Sequence, residues 1–218
     1  MTRRVICINR EHGTNGKALA EMVADRLGIR CYGRMMMNKA IAQGGLQNMD
    51  QVKAFLAASP EVRAEAFDKL KLDDKKVIEQ LPDQDTVFEI ESAVLKGLAA
   101  QEDFVVYGCC ANDFLQDEDV ELLRVFVTAP EEYCVKKIMK ATDRNKLDAK
   151  MRVASVNRKR RDFYYTYTGK HWTEPENYDL TINMENLGIN KAVDLLVAYY
   201  ENVMPAHIEV AANHSEIA

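Results

Sequence analysis

A chain of 218 residues, 47% hydrophobic and 29% charged, has the composition of an ordinary folded protein. That excludes a disordered chain, a collagen-like repeat and a disulfide-dense miniprotein, and a chain this long buries a core without covalent staples. The formal net charge of −5 argues against a nucleic-acid partner, so any anion site must be local.

The compartment is read from short features. No apolar run approaches the roughly 18 residues that a bilayer crossing needs, so no membrane partner is expected. Only Val5-Ile6-Cys7-Ile8 separates Arg3-Arg4 from Asn9, Arg10 and Glu11, which is too short for a signal-peptide core. The cysteines are Cys7, Cys31, Cys109, Cys110 and Cys134, five in all and without CxxC spacing. They predict reduced thiols in a cytoplasm, and four scattered histidines add no zinc pattern.

The elements follow in order. Residues 4–9 predict a strand, 13–16 a turn-rich loop and 17–27 a helix, with Leu19, Met22, Val23 and Leu27 at helical spacing and Gly28 as its stop. Residues 29–32 read as a second extended piece. Helices are then expected at 35–41, 50–56 (ended near Ser59-Pro60), 61–70 and 75–81, with a longer amphipathic one at 86–99. That is more helix than a simple crossover needs, so part of it is expected as an insertion over the sheet edge. Strands follow at 104–108 and 122–128, helices at 131–140 and 146–164, a last strand at 178–183 and a last helix at 189–203. Strands alternating with helices predict an α/β fold whose mainly parallel sheet is covered on both faces. One domain is expected over residues 1–204, with a tail at 205–218.

In such sheets ligands sit at the carboxyl ends of the strands. The first loop, Arg10-Glu11-His12-Gly13-Thr14-Asn15-Gly16-Lys17, has the glycines and following helix that can cradle a phosphate, and Lys17 adds a charge. It departs from G-x-x-x-x-G-K-[ST] at Glu11 and Ala18, and Ala18 stands where a hydroxyl normally holds Mg²⁺. A plain strand-to-helix turn is the alternative.

The chain resembles the cytidylate-kinase-like family of P-loop nucleotide and nucleoside kinases. The resemblance is carried by residues 9–18, by Val106-Tyr107-Gly108-Cys109-Cys110-Ala111 and by Phe126-Val127-Thr128-Ala129-Pro130. Its most specific part is Phe163-Tyr164-Tyr165-Thr166-Tyr167-Thr168-Gly169-Lys170-His171-Trp172, followed by Tyr178-Asp179-Leu180-Thr181-Ile182-Asn183. It implies a three-layer P-loop NTPase fold with a helical acceptor-binding region at about 35–85 and a basic lid at about 144–172. ATP with Mg²⁺ would be the donor, and a nucleoside monophosphate, cytidylate-like or related, the acceptor. Gly13, Thr14, Asn15, Gly16 and Lys17 would cradle the donor phosphates; Thr14 is a weak candidate near Mg²⁺, and no residue is identified as its ligand. Arg160, with Arg158 and Arg161, would stabilise the transferring group. Arg34 would meet the acceptor, and Glu91 or Asp113 would serve a hydroxyl acceptor.

Departures from the family cluster at this site. Asn15 replaces a glycine and Lys17 an arginine; Gly33 stands where the family has Asp, Cys109 and Cys134 where it has Arg, and Asn157 where it has Asp. An inactive kinase-fold protein that binds a phosphorylated ligand is therefore the alternative function.

The basic helix supports an anion site independently. Residues 144–170 hold nine Lys and Arg against two Asp, a local +7, which leaves −12 on the rest of the chain. Val153, Val156, Asn157, Arg160, Phe163, Tyr164 and Tyr167 recur at helical spacing, so Arg160 lies within an apolar and aromatic stripe and needs a partner. Arg158, Lys159 and Arg161 point elsewhere and read as solvated. Tyr164, Tyr165, Tyr167 and Trp172 read as packing at the base of the lid.

Overall fold

Val5 and Cys7 face one side of the first strand, Ile6 and Ile8 the other, and all four are apolar. A strand with no polar face must lie inside a sheet covered on both sides. In the computed structural model, which describes residues 2–71 and 73–204, it does. Strand β1 (Arg3–Arg10) is central in a sheet whose other strands are β2 (Arg30–Gly33), β3 (Phe104–Tyr107), β4 (Val120–Thr128) and β5 (Leu180–Asn183). Their order is β2-β3-β1-β4-β5, and every pair is parallel.

Eleven helices cover the two faces among the described residues. They are α1 (Gly16–Leu27), α2 (Arg34–Ala42), α3 (Met49–Ala57), α4 (Pro60–Asp68), α5 (Asp74–Gln80), α6 (Gln84–Ala99), the single turn α7 (Ala111–Phe114), α8 (Glu131–Thr142), α9 (Lys146–Thr168), the single turn α10 (Met184–Leu187) and α11 (Ile189–Asn202). One core joins Ile6 and Ile8 to α1, α8, the first turns of α9, and α11. The other joins Val5 and Cys7 to α2, α3, α4 and α6. Parallel pairing and the two covered faces give the three-layer α/β fold.

Local rules explain most boundaries. Asn145 Oδ1 accepts from Asp148 N at the start of α9, and Asp83 Oδ1 accepts from Thr86 N at the start of α6, both at 2.9 Å. Helix α9 runs to Thr168, four residues past the expected end, and Gly169 stops it in the left-handed conformation, φ 67°. Strand β4 begins two residues earlier than expected, because Arg3 and Arg4 of β1 extend its pairing to Val120 and Glu121. Strand β5 begins two residues later than expected. Asp179 uses its carboxylate to accept from Arg124 N at 2.8 Å, which ends the ladder there. The expected tail at 205–218 lies outside the described residues.

Helix α6 carries one anomaly that matters below. Its buried stripe, Val87, Ile90, Val94, Leu95 and Leu98, also contains Glu91. Full burial of each leucine contributes roughly 1.5–3 kcal/mol, whereas an unpaired carboxylate in such a stripe is costly.

Candidate functional site

A cavity of about 620 Å³ opens at the carboxyl ends of β1 and β3. Its floor includes Asn9 and Arg10 from β1 and Tyr107 from β3; α2 and one face of α9 form its walls. Six cationic side chains line it: Arg10, Lys17, Arg34, Arg152, Lys159 and Arg160. Among the described residues the one carboxylate in the lining, Asp74, is 2.9 Å from the ammonium of Lys39. Low-dielectric walls with one sign of charge concentrate a field that attracts anions.

Helix α9 ties this wall to the first loop. Arg160 Nη1 donates to the carbonyl of Arg10 at 2.6 Å, and three residues earlier Asn157 Oδ1 accepts from the backbone N–H of His12 at 2.8 Å. Among the described residues no carboxylate lies within ion-pair distance of Arg160. Burial, then Arg10 and Arg152, push it down to about 9. Arg10 is lowered too, chiefly by burial. His12 is pushed down to about 4 by burial and then by Arg160, Arg152 and Arg10. Burial is the leading cause at all three groups, neighbouring arginines add to it, and Glu11 pulls Arg160 the other way.

The loop itself is tightly packed. Gly13 has φ 94° and lies against the backbone of Cys134, so a side chain there would collide with α8. Asn15, at φ 61°, tolerates the left-handed conformation that a glycine would otherwise supply. Of the five loop residues expected to cradle phosphate, only Lys17 lines the cavity, while Gly13, Thr14, Asn15 and Gly16 do not. Lys17 is exposed and stands 3.5 Å from Glu21 at the rim.

The remaining expected residues divide clearly. Arg34 enters the cavity, its guanidinium carbon 3.6 Å from the Phe163 ring centroid and its Nε 3.8 Å from Glu91 Oε1. Glu91 lies behind Arg34, fully buried. The Asn38 amide, turned to donate, reaches its Oε1 at 3.0 Å, and its Oε2 has no hydrogen-bond partner among the described residues. Burial pushes its carboxyl up to about 7 against the opposing pull of Arg34. Asp113 is away from the cavity and pairs with Lys170 Nζ at 2.7 Å, which corrects its expected place at the acceptor. Arg158 is exposed and outside the cavity, and Arg161 lines a separate depression with Glu11, Cys134 and Asn157. Neither joins Arg160, because the cavity face of α9 turns from Arg160 toward Arg152 and Lys159, whereas Arg161 lies about 100° round on the other side and Arg158 about 160° away. Lys159 and Arg152 do join it, contrary to the solvated reading of Lys159.

Tyr164 and Trp172 line the cavity and also pack at the base of α9. Trp172 meets Phe126 edge-on at 5.2 Å, and Tyr164 closes a buried chain in which Asn9 donates to Asn112 and Asn112 to the Tyr164 hydroxyl. Sequence reasoning missed Arg10 and Arg152. Arg10 had a signal in ending the strand before the loop, and Arg152 in lying two turns before Arg160.

A protein-held Mg²⁺ does not fit these residues. Ala18 offers no hydroxyl. Thr14 is fully buried and donates its hydroxyl to the carbonyl of Glu11 at 2.8 Å, which corrects its expected place beside the metal. At Gly33 a Cβ would run into the Tyr107 ring, so the aromatic fills the space of an acidic side chain. Among the described residues no three His, Cys, Asp or Glu side chains are grouped to hold a metal. No described helix is long and apolar enough to cross a membrane.

A crystal structure of an uncharacterised protein from Eubacterium ventriosum superposes with a TM-score of 0.69 at 19% identity, covering 92% of this chain and 99% of that one. The protein APE1195 superposes at 0.52 with 13% identity, covering 94% and 98%. Shikimate kinase from Bacteroides thetaiotaomicron superposes at 0.47 with 12% identity, covering 91% and 98%. A comparison with curated proteins returned no match. The family described as "Cytidylate kinase-like family" matches residues 5–186. Its kinase character supports, in general terms, phosphotransfer with use of a nucleotide and Mg²⁺. With the parallel sheet, the crevice at its carboxyl edge and the basic helix over it in view, this match assigns the chain: it belongs to the cytidylate kinase-like family.

Proposed function

We propose that this chain moves the γ-phosphoryl group of ATP to a nucleoside monophosphate, cytidylate-like or a related small acceptor. One observation carries the reading: six cations from four elements converge on a cavity whose single lining acid, among the described residues, is already paired. Phosphoryl transfer asks a protein mostly for position and for charge on the phosphate oxygens. The bond from the γ-phosphorus to its bridging oxygen breaks as a bond to the acceptor oxygen forms. Arg160 and Lys17 stabilise the transferring group and Arg34 holds the acceptor phosphate. A phosphate acceptor arrives ionised and needs no base, which suits a cavity that Glu91 does not line. All five cysteines are free thiols, which supports a cytoplasmic setting.

A second reading, nucleotide binding without transfer, is favoured by the Tyr107 ring over Gly33 and by Ala18. Calorimetric titration with ATP, wild type beside Lys17→Ala and Arg160→Ala, tests both, followed by labelled-phosphate transfer to a panel of nucleoside monophosphates. Binding weakened by both substitutions, with one monophosphate labelled, is the expected result. Binding without transfer to any acceptor selects the second reading, and no binding at millimolar ATP overturns both.

A further inference from the structure

Resting on the reading that the cavity holds nucleotide phosphates, we propose that it binds the polyphosphate as a metal-free anion, with the arginine and lysine cluster neutralising the charge. Two independent observations point there. The first is the misfit of a metal: Ala18 has no hydroxyl, the Thr14 hydroxyl is held by Glu11, and the Tyr107 ring covers Gly33. The second is an excess of cations that the protein leaves unbalanced. Asp74 is paired with Lys39, and Glu91 lies behind Arg34 alone. Among the described residues no carboxylate stands within ion-pair distance of Arg10, Arg152, Lys159 or Arg160. Arg160 gives one hydrogen bond to a neutral carbonyl.

Free ATP carries about two more negative charges than its magnesium complex, and in a partly enclosed cationic cavity that difference adds to affinity. The planar guanidinium groups suit non-bridging phosphate oxygens, which a bound metal would otherwise occupy. Nucleotide is therefore captured without Mg²⁺, and Mg²⁺ in solution competes with the cluster for the same oxygens.

The test is titration of the full chain with ATP at matched ionic strength, once in excess EDTA and once in excess magnesium. Affinity in EDTA is expected to be equal or tighter, by up to about tenfold. Lys159→Ala, a change at an exposed helix position, is expected to weaken binding in EDTA more than in magnesium. Binding that weakens when magnesium is removed overturns the inference while leaving the nucleotide-binding reading intact. A Lys159→Ala loss that is larger in magnesium also overturns it. No binding in either buffer overturns both.

Discussion

Arg63 and Arg160 are both withdrawn from solvent, and the protein treats them oppositely. Arg63, 2% exposed on α4, gives its guanidinium to Glu102, to Gln101 and to the carbonyls of Leu56 and Ala58. Glu102 also accepts from the Tyr32 hydroxyl, so one buried network fastens the helical segment to strand β2 and to the end of α6. Arg160 has a single neutral hydrogen-bond acceptor, and the like charges of Arg10 and Arg152 weigh on it more than the opposite charge of Glu11. A buried charge held by a carboxylate and several acceptors is structural, whereas one without an ion-paired carboxylate at a cavity is poised for a ligand.

Four substitutions put that contrast at risk. Arg63→Ala strands Glu102 and empties a buried site, so it should cost about 3–5 kcal/mol of stability in denaturant unfolding. Its remaining folded fraction should bind nucleotide normally. Arg160→Ala should do the reverse. Stability should move by no more than about 1 kcal/mol, the loss of one neutral-acceptor bond being offset by relief of repulsion. Transfer should fall by about 2–4 kcal/mol of barrier, roughly a hundredfold or more. A large fall in stability for Arg160→Ala with unchanged binding would reverse the assignment of the two arginines.

Two pH effects are smaller and opposite in sign. Glu91 is raised to about 7 in the folded chain from 4.5, so between those values the folded state binds the extra proton. Its contribution is favourable below about 4.5 and is lost as pH rises through about 7. Glu91→Gln should leave stability at low pH nearly unchanged and raise it above about pH 7. His12 is lowered from 6.5 to about 4, so between those values the unfolded chain binds the extra proton. Its contribution is present above 6.5 and lost as pH falls toward about 4. His12→Asn should flatten the acid side of the stability profile, and an unchanged slope there would deny the lowering of His12 by burial and by Arg160, Arg152 and Arg10.

Much of the fold and part of the site are legible in the residues alone. Short apolar runs and period-3.6 patterns place the five strands and the long helices, because each signal is local and depends on what the element buries. Arg160 stands out as a charge inside the apolar stripe of α9. The stripe in α6 holds the same signal at Glu91, but an acid at a helical core position reads equally as a surface residue until its neighbours are known. Arg158 and Arg161 match the basic composition and still fall outside the cavity, since composition carries no direction around a helix. Asp113 fails for a different reason: Lys170, 57 residues away, claims it.

Neighbours a few residues apart suffice to specify the parallel α/β sheet, the first loop with its tight glycine, and the concentration of cations on one late helix. Which cations meet is settled only when the chain packs, because crossovers between β1, α2 and α9 bring Arg10, Arg34 and Arg160 together. Packing also closes Tyr107 over Gly33 and sets Arg34 in front of Glu91. Convergence of charges from distant segments is a property of how strands and helices pack, and no local period encodes it.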